Sequence, residues 1–396
     1  MFITFLVFLI ILSVLVLIHE FGHFIVAKKL GIKVEEFGFG FPPTALKIKK
    51  GETVYSINWL PIGGFVKLFG EDEAGAGKLS LPTKNKEQRT KNKELDRAFF
   101  ARPIWQRALV VVAGVIMNSL LAVVIFYAFL YVSNFKTELL LITDHKFIFV
   151  NQVNKNVSEK DAIVSIVAPN SPAEKIGIKP PVEILSINGK QINDREDLIK
   201  TINANKGKEI DITWQELKTG KEFSANVTPR VSPPKYEGAL GVGFPPIAFL
   251  NYDTPLQKAI SGVTHPINLL SYNFDVMGKL IELSFKEKTA APLGDSVSGP
   301  VGIFSLVGNI VKIPDMKERV LQILNLSGIL SISLAFFNIL PIPALDGGRF
   351  LFILIEAVTR KKVPPKFENY AHMIGMALLL TLIILITFKD ILRIFQ

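Results

Sequence analysis

His19, Glu20 and His23 stand close together in the apolar stretch Val14 to Lys29, VLVLIHEFGHFIVAKK. On a helix, residues four apart share a face, so His19 and His23 direct two imidazoles at one point, and Glu20 lies one step round. This is the H-E-x-x-H arrangement: two imidazole ligands for zinc beside a carboxylate able to take a proton from zinc-bound water. Two histidines hydrogen-bonded in a core would give the same spacing. In a segment apolar enough for a membrane, however, ionisable side chains are costly and mark function by default. The chain has no cysteine, so nitrogen and oxygen are the only ligands available.

The segment that must position this cluster begins as the apolar run Phe2 to Ile18 and continues to Lys28 and Lys29. It has neither a basic region in front nor a small-residue cleavage site behind, so it reads as a retained transmembrane helix rather than a signal peptide. The whole chain is 49% hydrophobic with a mean hydropathy of +0.36, the composition of a membrane protein with soluble parts. Its net charge of +10 sits in loops flanking apolar segments. That pattern follows the positive-inside rule and gives no reason to expect nucleic acid.

After the first span (1–30) comes a cytoplasmic loop (31–103), basic from Lys47 to Arg97. Gly38 to Phe41, Val54 to Leu60 and Pro61 to Phe69 read as short strands joined by glycine turns. Strands beside a membrane must hide their backbone polar groups, so a sheet held against the helices near the metal site is expected. Glu73 to Lys93, charged and poor in large apolar residues, reads as a mobile linker. The second span (104–133) runs outward. Its most polar interior residue, Asn118, serves either as a hydrogen-bonding link between helices or as support for the site.

Residues 134–232 form a mixed α+β segment outside the cytoplasm. IVAPNSPAEKIGI (Ile166 to Ile178), EILSINGKQI (Glu183 to Ile192) and EIDITWQ (Glu209 to Gln215) give strand, capped short helix, strand, Asn188-Gly189 turn, helix and strand. Gly241-Val242-Gly243-Phe244 falls after the last of these and reads as a return strand or linker. Residues 233–318 read as a linker with surface-lying amphipathic helices between Leu256 and Phe285.

A third span (319–350) returns to the cytoplasm through NILPIPALDGGRF, Asn338 to Phe350, in accord with the basic residues Arg349, Arg360, Lys361, Lys362 and Lys366. Asp346 therefore reaches the same membrane face as the two histidines. Pro341 and Pro343 keep the approach to it extended and able to pair with a peptide. In the fourth span (370–389), His372 reads as an interface residue, since His19, His23 and Asp346 already fill three positions.

HEFGH, the GGFVKLFGE loop from Gly63 to Glu71, the PDZ-like order of elements in the insert and N-x-x-P-x-P-x-L-D-G from Asn338 to Gly347 together resemble the site-2 protease family of intramembrane zinc metalloproteases. The resemblance is to its bacterial RseP-like branch with a single PDZ domain, and it covers almost the whole chain. It implies a multi-pass α-helical membrane protein with four transmembrane helices, a membrane-associated β-hairpin or sheet and an inserted α+β PDZ domain. It further implies Zn2+ on His19, His23 and Asp346, with Glu20 as general base or acid. The substrate strand would be received around Gly63, Gly64 and Phe65, with Asn338 and Pro341 beside it. Asn118 matches the family's G-P-x-x-N, whose proline is Val115 here.

The implied activity is hydrolysis of peptide bonds within transmembrane segments of single-span membrane proteins, such as anti-sigma factors or remnant signal peptides. The implied setting is the lipid bilayer of a bacterial plasma (inner) membrane, the zinc near the cytoplasmic side and the PDZ domain outside, where it binds or excludes extracytoplasmic segments. A non-proteolytic PDZ scaffold is the alternative. A transporter is disfavoured by four spans without an internal repeat.

Overall fold

A computed structural model describes residues 1–71, 95–155, 162–217, 220–234, 237–244, 247–288, 294 and 297–394 of the chain. The stretch Glu73 to Lys93, read as a linker, lies outside the described residues. The order begins α1 (Phe2–Lys29), β1 (Val34–Lys50), β2 (Thr53–Leu68), α2 (Ile104–Val132), β3 (Lys136–Leu140), β4 (Asn151–Lys155), β5 (Ile163–Val164) and β6 (Ile166–Val167). It continues α3 (Pro172–Lys175), β7 (Val182–Ile187), β8 (Lys190–Gln191), α4 (Arg195–Ala204), β9 (Ile210–Glu216), β10 (Glu222–Val227), β11 (Val242–Gly243) and β12 (Ile247–Asn251). It closes with α5 (Pro255–Glu287), α6 (Pro300–Val311), α7 (Met316–Ile339), α8 (Asp346–Thr359) and α9 (Pro365–Ile394). These elements divide into two compact units, Met1–Val132 with Gly262–Leu270 and Leu280–Gln396, and Ser133–Ser261 with Ser271–Lys279.

In the first unit α1, α2, α7 and the Lys366–Leu392 part of α9 are long and apolar enough to cross a membrane. At about 1.5 Å per residue each exceeds a hydrocarbon core of roughly 30 Å. Large side chains such as Val124 on α2 and Leu378 and Ile384 on α9 are about two-thirds exposed, a surface suited to lipid rather than water. α2 packs against both α1 and α7.

The end of α1 is fixed by two arginines that donate to the Gly31 carbonyl, Arg102 Nη2 at 2.6 Å and Arg97 Nε at 3.2 Å. Arg97 also holds Glu52 through two bonds of 2.7 Å, which keeps that carboxyl below its usual range. α6 has no side-chain cap of its own. Its free N–H groups are met from α9, where Asp390 accepts from Gly299 and Gly302, both at 2.8 Å.

β1 and β2 are long, bent strands that fold on each other as more than a simple hairpin. Residues 36–39 pair with 54–57 along one edge and with 64–67 along the other: Phe37 faces both Tyr55 and Val66, and Gly38 faces both Ser56 and Phe65. The lateral order is therefore 44–50, 53–58, 34–39, 64–68, with the last segment of β2 as an outer strand. Partners in register share a face, and Phe37 and Tyr55 lie over Phe24 of α1 at ring distances of 5.0 and 6.0 Å. Val34 and Leu68 join a buried cluster with Ala27, Val110, Val111 and Ile353. The sheet is thus held against the helices by its apolar face.

The second unit has a core sheet in the order β10-β9-β7-β5, with β8 paired to β7. Val182, Ile184, Ile187, Ile212, Trp214 and Leu198 fill its interior. Asn188 and Gly189, at φ 50° and 74°, make the tight turn from β7 to β8, the positive angles such a turn needs. Ser171 and Asp194 cap α3 and α4 through their side chains. Val242 and Gly243 form the short return strand β11, paired with β6.

Two features of the region read as linker and surface helices differ from that reading. β12 is the central strand of a separate sheet, pairing with β3 and with β4. Its partners lie about a hundred residues earlier, too far for local patterning to reveal. The amphipathic stretch is one continuous helix, α5, that runs through Pro266. Within the second unit α5 is tied down by His145 Nδ1 to Asp275 Oδ2 at 2.5 Å and by Tyr272, whose hydroxyl accepts from Ile142 N–H at 2.9 Å.

Candidate metal centre

The helical spacing on α1 brings His19 and His23 onto one face, ring centroids 4.8 Å apart. Asp346 reaches them from the far end of the sequence by a specific route. Pro341 and Pro343 cannot continue a helix, so α7 stops at Ile339 and Asp346 opens a separate helix, α8. The connection doubles back so closely that a Cβ on Gly347 would strike the carbonyl oxygens of Leu340 and Ile339. It is braced from α9, where His372 Nδ1 accepts the Ala344 N–H at 2.9 Å.

Three donor atoms converge. Asp346 Oδ2 lies 3.1 Å from His19 Nε2 and 3.2 Å from His23 Nε2, and the two imidazole nitrogens are 3.3 Å apart. Asp346 Oδ2 is buried and has no hydrogen-bond partner, the condition of an atom waiting for a cation. Ligands on a tetrahedral ion with bonds of about 2.0 Å lie roughly 3.3 Å apart, so this set fits zinc without rearrangement. Among the described residues, these are the three that could hold one metal ion together.

The imidazoles are oriented by atoms of α2. His23 Nδ1 lies 2.7 Å from the Val110 carbonyl, to which it can only donate, so its Nε2 keeps a lone pair for metal. His19 Nδ1 lies 3.3 Å from the Asn118 amide nitrogen, while Asn118 Oδ1 is buried without a partner. Turning that amide by half a rotation gives the oxygen its donor, His19 Nδ1–H, and frees His19 Nε2 as well. Asn118 is itself fixed by α7, since Ser331 Oγ donates to its backbone carbonyl at 2.8 Å.

Glu20 lines two cavities that meet at the donor cluster. One, of about 350 Å³, is bounded by Glu20, His23, Asp346, Arg349 and the outer strand from Phe65 to Leu68. The other, of about 260 Å³, is bounded by His19, Glu20, Asn118, Asn338 and Leu345. Among the residues expected to receive substrate, Gly64 is beside Glu20: a Cβ there would lie 3.3 Å from Glu20 Cγ. Gly63 precedes it at φ 101°, Phe65 lines the larger cavity, and Asn338 Nδ2 is 3.5 Å from His19 Nε2. Pro341 is exposed at the start of the doubled-back connection and lines neither cavity.

Sequence reasoning passed over several contributors. Val110 acts through its carbonyl, which no side-chain pattern reports. Gly114 lies against both imidazoles, and its spacing of four from Asn118 was the available signal. Glu71 and Arg349, on the cavity wall, are too far apart in sequence to be paired by inspection.

The model of Peptidase family M50 matches residues 7–382 of the chain. The chain is similar to a predicted zinc metalloprotease of Clostridium perfringens, 34% identical over 382 residues with 96% of each chain covered. It is also similar to the regulator of sigma-W protease RasP of Bacillus subtilis, 28% identical over 460 residues with 99% of each covered. Among solved structures, a PDZ domain of an SdrC-like protein from Listeria monocytogenes matches 22% of this chain and 85% of its own, at 18% identity and a TM-score of 0.17.

Proposed function

The chain belongs to peptidase family M50, a zinc metalloprotease of the membrane, and from that premise we propose that it hydrolyses peptide bonds within transmembrane segments of single-span membrane proteins. The observation that carries the reading is the convergence of His19, His23 and Asp346 on one point, with Glu20 on the wall of both adjoining cavities.

His19, His23 and Asp346 would hold the zinc ion. When bound, zinc supplies Lewis acidity, polarising a peptide carbonyl and lowering the pKa of a water to about 7. Glu20 accepts the proton that the attacking water loses and returns it to the amine nitrogen as the C–N bond breaks, so one water is consumed and the new carboxylic acid and amine exchange a proton and leave as carboxylate and ammonium. A helical peptide hides its carbonyls in its own hydrogen bonds, so the target bond must first be extended. The outer strand 64–68 is suited to this: it pairs with β1 on one side, and its residues Phe65 to Leu68 line the cavity beside Glu20. Asn338 and Gly64 flank the same place.

The lysines and arginines of the loops support a cytoplasmic position for the zinc and an outside position for the PDZ-like unit. There the unit would bind extracytoplasmic segments or exclude bulky ones. The deciding experiment is cleavage of a tagged single-span substrate by purified protein, wild type against Glu20→Gln. Loss of cleavage with zinc retained is expected, and cleavage by the Glu20→Gln protein overturns the reading.

A further inference from the structure

One wall of the larger cavity carries an ion pair that joins the strand side of the site to the metal side. Glu71 lies just past the outer strand, after Phe69 and Gly70, and its two carboxylate oxygens have different duties. Oε2 accepts the Leu68 N–H at 3.3 Å, at the end of that strand, and Oε1 accepts from Arg349 Nη1. Arg349 is three residues after Asp346 in the first turn of α8, and residues three apart on a helix are neighbours. One carboxylate thus bridges the last residue of the outer strand and the turn that presents a metal-ligating oxygen. Both residues line the cavity with Glu20, His23 and Asp346.

The other end of α8 offers a comparison. Glu356 accepts from Arg107 of α2 at 2.7 Å, which fixes the helix to the bundle, and this pair lines a small cavity with Glu71 and Arg349. α8 also packs Ile353 into the cluster that holds Leu68, and of its two ion pairs the one with Glu71 is the one whose carboxylate also accepts from the outer strand.

The geometry points to Glu71 and Arg349 as positioning residues: their ion pair sets the gap between the substrate-receiving strand and the Asp346 side of the metal centre. This rests on the protease reading above and deepens it. The consequence is kinetic. A peptide paired to strand 64–68 still binds when the pair is broken, but its carbonyl is presented at the wrong distance from the water and Glu20, and misplacement of this kind lowers kcat more than it raises KM.

The test uses the full-length protein with the tagged single-span substrate, and every rate is divided by the zinc bound. Glu71→Gln and Arg349→Met should each lower kcat about tenfold or more with KM changed by less than about threefold. The double variant should be no slower than the slower single, because both break one interaction. Arg349→Lys, which keeps the charge, should recover most of the rate, and Glu356→Gln should lower thermal stability without changing the rate per zinc. The inference is overturned if the singles stay within about twofold of wild type in kcat, or if the double variant loses the product of the two effects. Glu20→Gln run alongside separates the two levels: its activity would overturn the protease reading, whereas its inactivity beside fully active Glu71→Gln would overturn the positioning role alone.

Discussion

Gly114 of α2 lies directly against His19 of α1: a Cβ built on Gly114 would stand 2.6 Å from His19 Cε1, and it would also strike His23 Nε2. The helix that supplies the Val110 carbonyl and the Asn118 amide can come this close because one of its residues has no side chain. Gly114→Ala should therefore push α2 away from both imidazoles and weaken the hydrogen bonds that orient them. The expected outcome is a loss of zinc affinity of about tenfold or more, read by titration against a competing chelator, while helix content by circular dichroism stays unchanged. Unaltered affinity would mean that the imidazoles adjust freely.

Asn118 is expected to act through its oxygen, as acceptor for His19 Nδ1–H. Asn118→Ala should then lower zinc affinity by about 10- to 100-fold. Asn118→Asp, which offers an oxygen in either orientation, should stay near the wild-type value. Equal losses in the two variants would show that the amide nitrogen is the group that matters.

His265 of α5 is 2% exposed, stacked on Phe129 and edge-on to Phe126, and burial lowers its pKa to about 4. Between that value and its ordinary 6.5 the unfolded chain binds the proton more readily than the folded one, so stability falls as pH is lowered. The contribution is fully present above pH 6.5 and is lost towards pH 4, amounting to about 3 kcal/mol over the whole window. Thermal unfolding in detergent micelles should show this slope in the wild type and a shallower one in His265→Phe. Parallel pH profiles for the two proteins would remove His265 as the cause.

Asp390 meets two backbone N–H groups at the start of α6. Asp390→Ala should cost roughly 2 kcal/mol, because buried donors are left without partners, and Asp390→Asn less, because one acceptor remains. The order of the two melting temperatures in detergent checks this. An Asn variant as unstable as the Ala variant would point to charge rather than hydrogen bonding.

The parts of this molecule legible in the sequence are those set by short periods. The i, i+4 spacing of His19 and His23 is a property of any helix, the Asn188-Gly189 turn needs only two residues, and Pro341 and Pro343 announce the end of α7. Asp346 could be brought to the histidines by counting spans and loop charges, without knowing that it begins its own helix. What could not be read depends on approach between distant elements: the Val110 carbonyl at His23, β12 between β3 and β4, and Asp390 capping α6 from α9. The doubling of β1 against two stretches of β2 belongs to the same group, since alternation along a strand reports its faces but not how many neighbours it has.

The central claim is that Asp346 completes a metal centre begun by His19 and His23, and the zinc content of purified Asp346→Ala measures it most directly. After washing with a weak chelator, wild type and Glu20→Gln should each retain about one zinc per chain, as three ligands with an open fourth position allow. Asp346→Ala should retain almost none. Zinc at the wild-type level in Asp346→Ala would contradict the account.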